Sequence, residues 1–325
     1  MKAKTKFTRL WSVLLVLVMV VGMIPIAALA TGPVAVTADF TSGDGSAALA
    51  LLNAAKTEGV ADSVWDSTTN TLTLNGVNFE TTAATAVKLP DGSTIVLNGV
   101  NTIKGVGSSS EDSYGIYADG ALTIQGTGTL NVTGGDTSSR SCGIYANNGN
   151  VIISGGTITA TGGTSGRASL GIYSYNDKNV EISGGTVTAT GGTATDDGSF
   201  GINAEGEVKI SGGKVEATAD EGSYYGYGIY NKAYISGGTI TAASAYGEAI
   251  PNVNLKGSGY KTISFNGNGG SGHMKAYTKD GSYTLPANGF AAPDDKVFKG
   301  WKVGEEIKAV GDTIDVSGSI PTVYA

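Results

Sequence analysis

The sequence predicts an all-β protein built around a right-handed parallel β-helix, and three observations support this fold class. A five-residue signature occurs five times. Its positions are an apolar or aromatic residue, then Gly, then Ile, then Tyr or Asn, and last Ala, Ser or Asn. Its glycines are spaced 28, 28, 30 and 27 residues apart, which indicates one supersecondary unit stacked on itself. Two further runs with period-two alternation follow each copy. The signatures occupy residues 114–118, 142–146, 170–174, 200–204 and 227–231.

Each repeat therefore contains three short strands and three corners, which is the size of one β-helix coil. The second run ends in Ile-Ser-Gly-Gly in four copies, where glycine supplies the positive φ of a sharp corner. Residues 86–105 and 72–76 extend the pattern toward the N-terminus, and residues 249–257 form a final partial coil. We expect about seven coils with three strands each. A leucine-rich repeat is disfavoured because its Leu-x-x-Leu-x-Leu pattern is absent.

Period-two alternation also assigns the faces of the strands. In the signature, the isoleucine and the residue two positions before it are expected to point into the coil and to form stacked ladders. In the third strand, Ile158, Ala160, Val187 and Ala189 belong to the inward set. Stacked ladders of this kind stabilise a solenoid through contacts between neighbouring coils.

Composition divides the chain into four parts. Residues 1–30 have a basic start, an apolar run and an Ala-Leu-Ala site, which predict a cleaved signal peptide and a secreted protein. Residues 31–64 form a cap segment with a short helix that begins at a capping Ser46 and covers the N-terminal edge of the solenoid. Residues 65–258 form the β-helix. The period is lost in residues 260–325, which we expect to form a separate module.

Charge and single residues restrict the function. Without the four basic residues of the signal, 17 Lys and Arg stand against 28 Asp and Glu, a net charge of −11, so nucleic acid is disfavoured as a partner. The single histidine, His273, is expected in a loop, and the single cysteine, Cys142, is expected to be a buried apolar residue. No catalytic triad or zinc site can be assembled from these residues.

A catalytic alternative remains, because a Ca²⁺-dependent polysaccharide lyase needs carboxylates and a basic residue. Arg140 and Arg167 lie in the variable loops before the signature, and acidic residues share these loops. Solvated loop charge is the simplest interpretation, and a Ca²⁺ site is the alternative. The acidic loop residues are Glu111, Asp112, Asp136, Asp196, Asp197, Asp220 and Glu221.

The tyrosines of the signature are the candidate binding residues. Tyr117, Tyr145, Tyr173 and Tyr230 are expected to project outward in a row that Asn203 interrupts. Such a row, flanked by the loop residues Tyr175, Tyr224 and Tyr225, could stack against sugar rings. The alternative is that the tyrosines only stabilise the sheet as neighbours on adjacent strands. Outward threonines on the third strand form a second regular array, for which ice binding is a weaker hypothesis.

Two resemblances add to this interpretation. The runs Thr-Leu-Thr-Leu-Asn-Gly-Val and Thr-Ile-Val-Leu-Asn-Gly-Val, with the Gly-Ile-Tyr coils and Ile-Ser-Gly-Gly corners, resemble carbohydrate-binding-domain proteins of Gram-positive anaerobes. This resemblance, over roughly residues 65–258, implies a lyase-like right-handed β-helix that binds polysaccharide. Residues 263–325, with Phe-Lys-Gly-Trp and a terminal Tyr-Ala, resemble the internalin-type B-repeat, also called the Listeria–Bacteroides repeat. That resemblance implies a small β-grasp-like module of a surface protein, with Trp301 in its core.

The sequence thus favours a secreted or cell-surface protein that binds polysaccharide, or a surface glycan, through an outer face of the β-helix without catalysis. A purely structural surface stalk is the first alternative, and a Ca²⁺-dependent polysaccharide lyase is the second. No cofactor is required by the first two interpretations.

Overall fold

The computed structural model describes residues 35–106, 110–220, 225–245, 248–257, 259–279, 281–318, 320 and 322–325. The predicted signal peptide and the loop residues Glu221 and Tyr224 lie outside these ranges. The one helix of the described residues, α1, spans Ser46–Ala54. Among the described residues, no helix is long and apolar enough to span a membrane.

The strands follow one another along the chain with short corners between them. The first half contains β1 Ala38–Asp39, β2 Val64–Asp66, β3 Thr71–Asn75, β4 Asn78–Thr81, β5 Thr85–Leu89, β6 Ser93–Asn98, β7 Val100–Gly105, β8 Ser113–Ala118, β9 Leu122–Gly126, β10 Thr129–Thr133, β11 Ser141–Ala146, β12 Val151–Ile153 and β13 Thr157–Thr161. The second half contains β14 Ser169–Ser174, β15 Val180–Ile182, β16 Thr186–Thr190, β17 Gly198–Thr218, β18 Tyr225–Ser244, β19 Asn252–Leu255, β20 Lys261–Asn266, β21 His273–Thr278, β22 Ser282–Thr284, β23 Trp301–Val303, β24 Glu306–Lys308, β25 Thr313–Asp315 and β26 Val323–Tyr324.

Three parallel sheets run along the solenoid. Sheet 1 contains β1, β5, β8, β11, β14 and the first parts of β17 and β18. Sheet 2 contains β3, β6, β9, β12, β15, the middle of β17 and β18, and β19. Sheet 3 contains β4, β7, β10, β13, β16 and the last parts of β17 and β18. The predicted parallel solenoid is therefore confirmed, with about six coils.

Identical or similar side chains stack in register inside the coil. Ile116, Ile144, Ile172, Ile202 and Ile229 pair in sequence along sheet 1, and all five are fully buried. This confirms the isoleucine ladder. In sheet 3, the column Leu130, Ile158, Val187, Val215 and Ile240 is likewise buried. Each buried aliphatic side chain of this size contributes about 1.5–3 kcal/mol through the hydrophobic effect.

Backbone conformation at the corners follows the sequence pattern. Gly156, Gly185, Gly213 and Gly238, the second glycines of the Ile-Ser-Gly-Gly corners, have φ of 82°, 79°, 77° and 80°. These values lie in the left-handed region that glycine adopts without a steric penalty. The predicted corner geometry is confirmed.

Helix α1 lies at the N-terminal edge, as predicted, but its cap differs from the prediction. Its N-cap residue is Gly45 in a left-handed conformation, and no side chain caps the helix. The carboxylate of Asp44 instead accepts a hydrogen bond of 2.9 Å from the backbone N–H of Ser46. After the helix, the backbone O of Ala55 accepts from Asn78 N at 2.7 Å, so the chain covers the edge of β4 through hydrogen bonds.

The C-terminal residues form a small sheet that is continuous with the solenoid. Strand β21 pairs antiparallel with the last part of β18, from Ile240↔Tyr277 to Ser244↔His273. Trp301 is fully buried among Phe265, Phe290 and Phe298, and its indole N–H donates to Pro286 O at 2.8 Å. Trp301 is thus a core residue, as expected.

The glycine of the signature is required by the close approach of two sheets. A Cβ atom built at Gly143 would lie 2.7 Å from Thr161 N and 2.8 Å from Gly171 O, both of which are backbone atoms. We expect Gly143→Ala to lower the free energy of unfolding by about 1–3 kcal/mol, because the backbone must shift to make room. Urea denaturation measures this change. Gly318→Ala is the control, because no atom lies within 4 Å of a Cβ there. Equal effects of the two substitutions would contradict the explanation.

Candidate functional site

The predicted tyrosine row exists, and its members are in register. Tyr117 pairs with Tyr145, Tyr145 with Tyr173, and Tyr173 with Asn203, which pairs with Tyr230. The ring centroids of Tyr117 and Tyr145 are 5.3 Å apart, and those of Tyr145 and Tyr173 are 5.5 Å apart. The row therefore lies on the outer face of sheet 1 as the sequence predicts.

The exposure expected for this row is wrong for two of its members. Tyr145 is 4% exposed and Tyr173 is 6% exposed, while Tyr117 and Tyr230 are half-buried. Their rings pack into an outer aromatic cluster rather than forming an open platform. The buried members of the outer aromatic cluster are Tyr114, Cys142, Tyr145, Ala168, Leu170, Tyr173 and Phe200, with Tyr117, Tyr225, Tyr227 and Tyr230 packed against them.

The cluster includes a second row that the sequence analysis placed inside the coil. Tyr114, Cys142, Leu170, Phe200 and Tyr227 precede the signature glycine, and they were expected to point inward with the isoleucines. They instead pack with the outward tyrosines: the Tyr114 ring is 4.7 Å from the Tyr145 ring, and the Phe200 ring is 5.1 Å from the Tyr230 ring. Four of these residues are buried and Tyr227 is half-buried, all in the cluster on the outer face of sheet 1.

The signature glycine explains why alternation fails at this point. A Cβ atom at Gly115 would lie 2.5 Å from Cγ2 of Val132, which is itself buried in the coil, so the glycine faces inward. The following isoleucine is also inward, so two consecutive residues share one side and the preceding residue is turned outward. The serine before it is buried, as Ser141 shows with its Oγ donating to Gly135 O at 2.8 Å and accepting from Gly163 N at 2.8 Å.

Charged side chains contact the outer aromatic cluster at its edges. The hydroxyl of Tyr173 donates to Glu205 at 2.7 Å, and the Arg140 guanidinium lies 5.3 Å from the Tyr173 ring centroid. Burial, followed by the hydrogen bond to Glu205, raises the pKa of Tyr173 far above its ordinary value. Burial likewise raises the pKa of the Cys142 thiol, which is fully buried as predicted. These groups stay protonated and do not act as nucleophiles near neutral pH.

Several acidic loop residues bind the neighbouring coil rather than standing free in solvent. Asp136 accepts from Thr164 N at 2.8 Å, one coil further along the chain. Asp112 accepts from Ser139 Oγ at 2.6 Å, from Arg140 N at 3.0 Å and from the Tyr114 hydroxyl at 2.9 Å. The interpretation as solvated charge is therefore wrong for the half-buried Asp112, whereas Asp136 is exposed to solvent and also joins adjacent coils.

The acidic residues of the described loops do not form a cluster. Within the ranges that the structure covers, no three Asp, Glu, His or Cys side chains gather into a group that could hold a metal ion. The guanidinium of Arg140 lies 3.8 Å from a carboxylate oxygen of Asp112, and a guanidinium stays charged in proteins, so Arg140 is a cation and not a base. His273 begins β21 with an exposed side chain, and not in a loop as predicted.

A groove on the outer face of sheet 2 was missed by the sequence analysis. It has a volume of about 500 Å³ and crosses the coils of β12, β15, β17, β18 and the segment after β19. The pairing Ile152↔Glu181↔Lys209↔Tyr234 places these four outward side chains side by side along its floor. The remaining lining includes Ser183, Ser211, Ser236, Glu207 and Lys256.

Charged groups alternate along the groove floor. The Lys209 ammonium lies 3.5 Å from a carboxylate oxygen of Glu181 and 3.7 Å from one of Glu207. The Lys256 ammonium lies 4.9 Å from the ring centroid of Tyr234. The exposed serines of the groove follow two residues after Glu181, Lys209 and Tyr234, so the groove offers hydrogen-bond donors and acceptors beside one aromatic ring. Such a combination suits a polyhydroxylated ligand.

The sequence contains a pattern that corresponds to this groove, but it is variation from coil to coil and not the repetition that indicates a stacked ladder. One outward position of the second strand differs from coil to coil, while the inward positions and the outward serine that follows them repeat. Repetition marks packing here, so the pattern that predicts the ladders does not predict the groove. The four differing residues Ile152, Glu181, Lys209 and Tyr234 form the groove floor.

The threonine array lies on the outer face of sheet 3, where most of its members are half-buried. Its last coil is covered by the C-terminal residues, because the hydroxyls of Thr241 and Tyr283 are 2.6 Å apart and those of Thr239 and Thr278 are 3.2 Å apart. Thr241 is 6% exposed. The array therefore does not continue as an open surface to the end of the solenoid.

These features define a parallel β-helix protein with a repeated coil. A family model described as a beta helix repeat matches residues 151–172, 180–202 and 208–229. Each matched segment begins in a strand of sheet 2 and ends at the isoleucine of the next signature. Neither the curated proteins nor the solved structures that were searched gave a match.

The stability of the loop edge should depend on the ionised form of Asp112. Burial raises the pKa of its carboxyl, but the hydrogen bonds from Ser139, Arg140 and Tyr114 and the charge of Arg140 together hold it below the ordinary value. The contribution is thus present above the unfolded-state pKa of about 3.9 and is lost as the pH falls through the lower folded-state pKa. Asp112→Asn should cost about 1–2 kcal/mol at neutral pH.

The difference in unfolding free energy between the wild-type protein and Asp112→Asn should shrink as the pH falls from 6 to 3. Urea denaturation at each pH measures it. Asp294→Asn, in an exposed loop, serves as the control and should show a small and nearly constant difference. A difference that stays constant for Asp112→Asn would show that its ionisation does not contribute.

Proposed function

We propose that this protein binds polysaccharide without catalysis, outside the cell or at its surface, through the groove on the outer face of sheet 2. The observation that carries the proposal is the groove itself, which runs along the solenoid and combines Tyr234, exposed serines and alternating charges. From Ile152 to the Lys256 segment it crosses five coils, or about 19 Å at about 4.8 Å per coil. A ligand of repeating units can follow such a repeating surface over several units.

The groove supports glycan binding better than the tyrosine row. Tyr145 and Tyr173 contribute their area to the outer aromatic cluster, so little ring surface is left for a sugar. Tyr234 is half-buried, and the cation that lies over its ring belongs to the exposed side chain of Lys256. A flexible exposed lysine can move aside when a sugar ring approaches, whereas packed rings cannot.

A non-catalytic role is the simplest chemistry for this groove. The carboxylates of Glu181 and Glu207 lie 3.5 Å and 3.7 Å from the ammonium of Lys209. Carboxylates held in this way suit hydrogen bonds to sugar hydroxyls.

A matched pair of tyrosine variants tests the proposal. Tyr234→Ala should weaken binding of a glycan identified on an array about tenfold, because the aromatic contact contributes about 1–2 kcal/mol. Tyr175→Ala removes a tyrosine that is 39% exposed on the sheet 1 side, and it should bind as the wild-type protein does. Titration calorimetry gives both affinities.

The remaining outcomes decide between the alternatives. Loss of binding in Tyr175→Ala and not in Tyr234→Ala would indicate that the glycan binds at the tyrosine row and not in the groove. If no glycan binds to the wild-type protein, the proposal fails and the structural stalk becomes the better interpretation. Release of unsaturated products from a uronic-acid polymer would instead support the lyase.

A further inference from the structure

The C-terminal part of the chain contributes a charged side chain to one end of the groove. Lys279, directly after β21, donates from its ammonium to Ser236 O at 2.9 Å, and Ser236 lines the groove. The same ammonium lies 3.6 Å from the position of a Cβ atom on Gly257, the residue after Lys256. The solenoid and the C-terminal strands therefore bring two lysines, far apart in sequence, to the same end of the groove.

The two lysines differ from the lysine in the middle of the groove. The Lys209 ammonium has two carboxylates within 4 Å, whereas Lys256 and Lys279 have none among the residues that the structure describes. Each of the two instead lies over a tyrosine ring, Lys256 over Tyr234 at 4.9 Å and Lys279 over Tyr260 at 4.6 Å. Both side chains are exposed. This end of the groove is thus basic, while Glu181 and Glu207 lie in the coils that precede it.

We propose that the Lys256–Lys279 end of the groove binds an acidic group on the glycan, so that the ligand is a largely neutral chain with isolated acidic substituents. This inference rests on the proposed function. An ammonium is a compact charge that suits a carboxylate or sulfate without demanding a fixed approach direction. Each of the two ammonium groups is attracted by the face of its tyrosine ring, which stabilises the cation without neutralising its charge.

A uniformly charged polymer fits this groove poorly. The whole chain has a net charge of −7, and the two carboxylates lie along the ligand path before the lysines. Repulsion from these groups would act on every other unit of a polyuronate. Glu181 and Tyr234 are separated by two coil steps, or about 10 Å, so a single acidic unit can reach the lysines while neutral units lie beside Glu181.

The test uses pairs of oligosaccharides of six sugars, with gluco-, galacto- and xylo-configured backbones, each neutral or carrying one uronic acid. For the pair whose backbone binds, the acidic member should bind about tenfold more tightly at low salt, and this preference should fall as the salt concentration rises. Lys256→Met and Lys279→Met should each reduce the preference, measured as the ratio of the affinities for the acidic and the neutral member, about fivefold. Lys279→Arg should retain the preference.

The control is Lys296→Met, which removes the same charge from an exposed loop of the C-terminal part, outside the groove lining. It should keep the full preference. Lys279 also bonds to the backbone of Ser236, so thermal unfolding of each variant shows whether it is folded. The side chain of Lys256 makes no such bond to the backbone in the described part of the chain, so Lys256→Met tests the same site independently.

Each result is decisive. Equal affinity for neutral and acidic members overturns the inference and leaves the proposed function intact. A preference that survives in both methionine variants places the acidic group elsewhere and also overturns it, as does tighter binding of a polyuronate than of the singly acidic oligosaccharide. If no oligosaccharide of any pair binds, the proposed function fails together with the inference.

Discussion

The close approach of sheet 1 to sheet 3 is the constraint on which the rest of this structure depends. At each signature the backbone of sheet 1 passes so near to sheet 3 that only a glycine fits, as the 2.7 Å separation between a Cβ at Gly143 and Thr161 N demonstrates. The glycine takes an inward place beside the inward isoleucine. Because of this, the preceding residue turns outward, and the serine before it bonds to the corner glycines of its own coil and the next.

One consequence is a division of the apolar residues into two layers. Isoleucines and valines fill the inside of the coil, and tyrosines, phenylalanine and leucine fill the outer aromatic cluster on sheet 1. The second layer occupies one face of the solenoid. The C-terminal strands occupy part of sheet 3, since Tyr283 covers Thr241. Sheet 2 keeps an open outer face that varies from coil to coil, and this face contains the groove.

The sequence predicted the solenoid, its corners and its isoleucine ladder because these features repeat and obey simple periods. It could not predict the side on which Tyr114 or Phe200 lies, because period-two alternation holds only while the strand is regular, and the glycine interrupts it. It predicted the tyrosine row but not its burial, which depends on the side chains of the preceding row and on Arg140. The groove could not be predicted without knowing which coils place Glu181, Lys209 and Tyr234 together. The long-range contact from Lys279 to Ser236 also has no signal in the sequence.

The antiparallel pairing of β21 with the last part of β18 has a consequence for assembly. A parallel coil presents the same pattern of backbone groups at both ends, so a second molecule could continue the stack head to tail and produce a filament. Strand β21 runs in the opposite direction and occupies the end of sheet 3, where it removes the template for another parallel coil. The addition of another parallel coil is therefore blocked on this sheet, at the end where β21 lies.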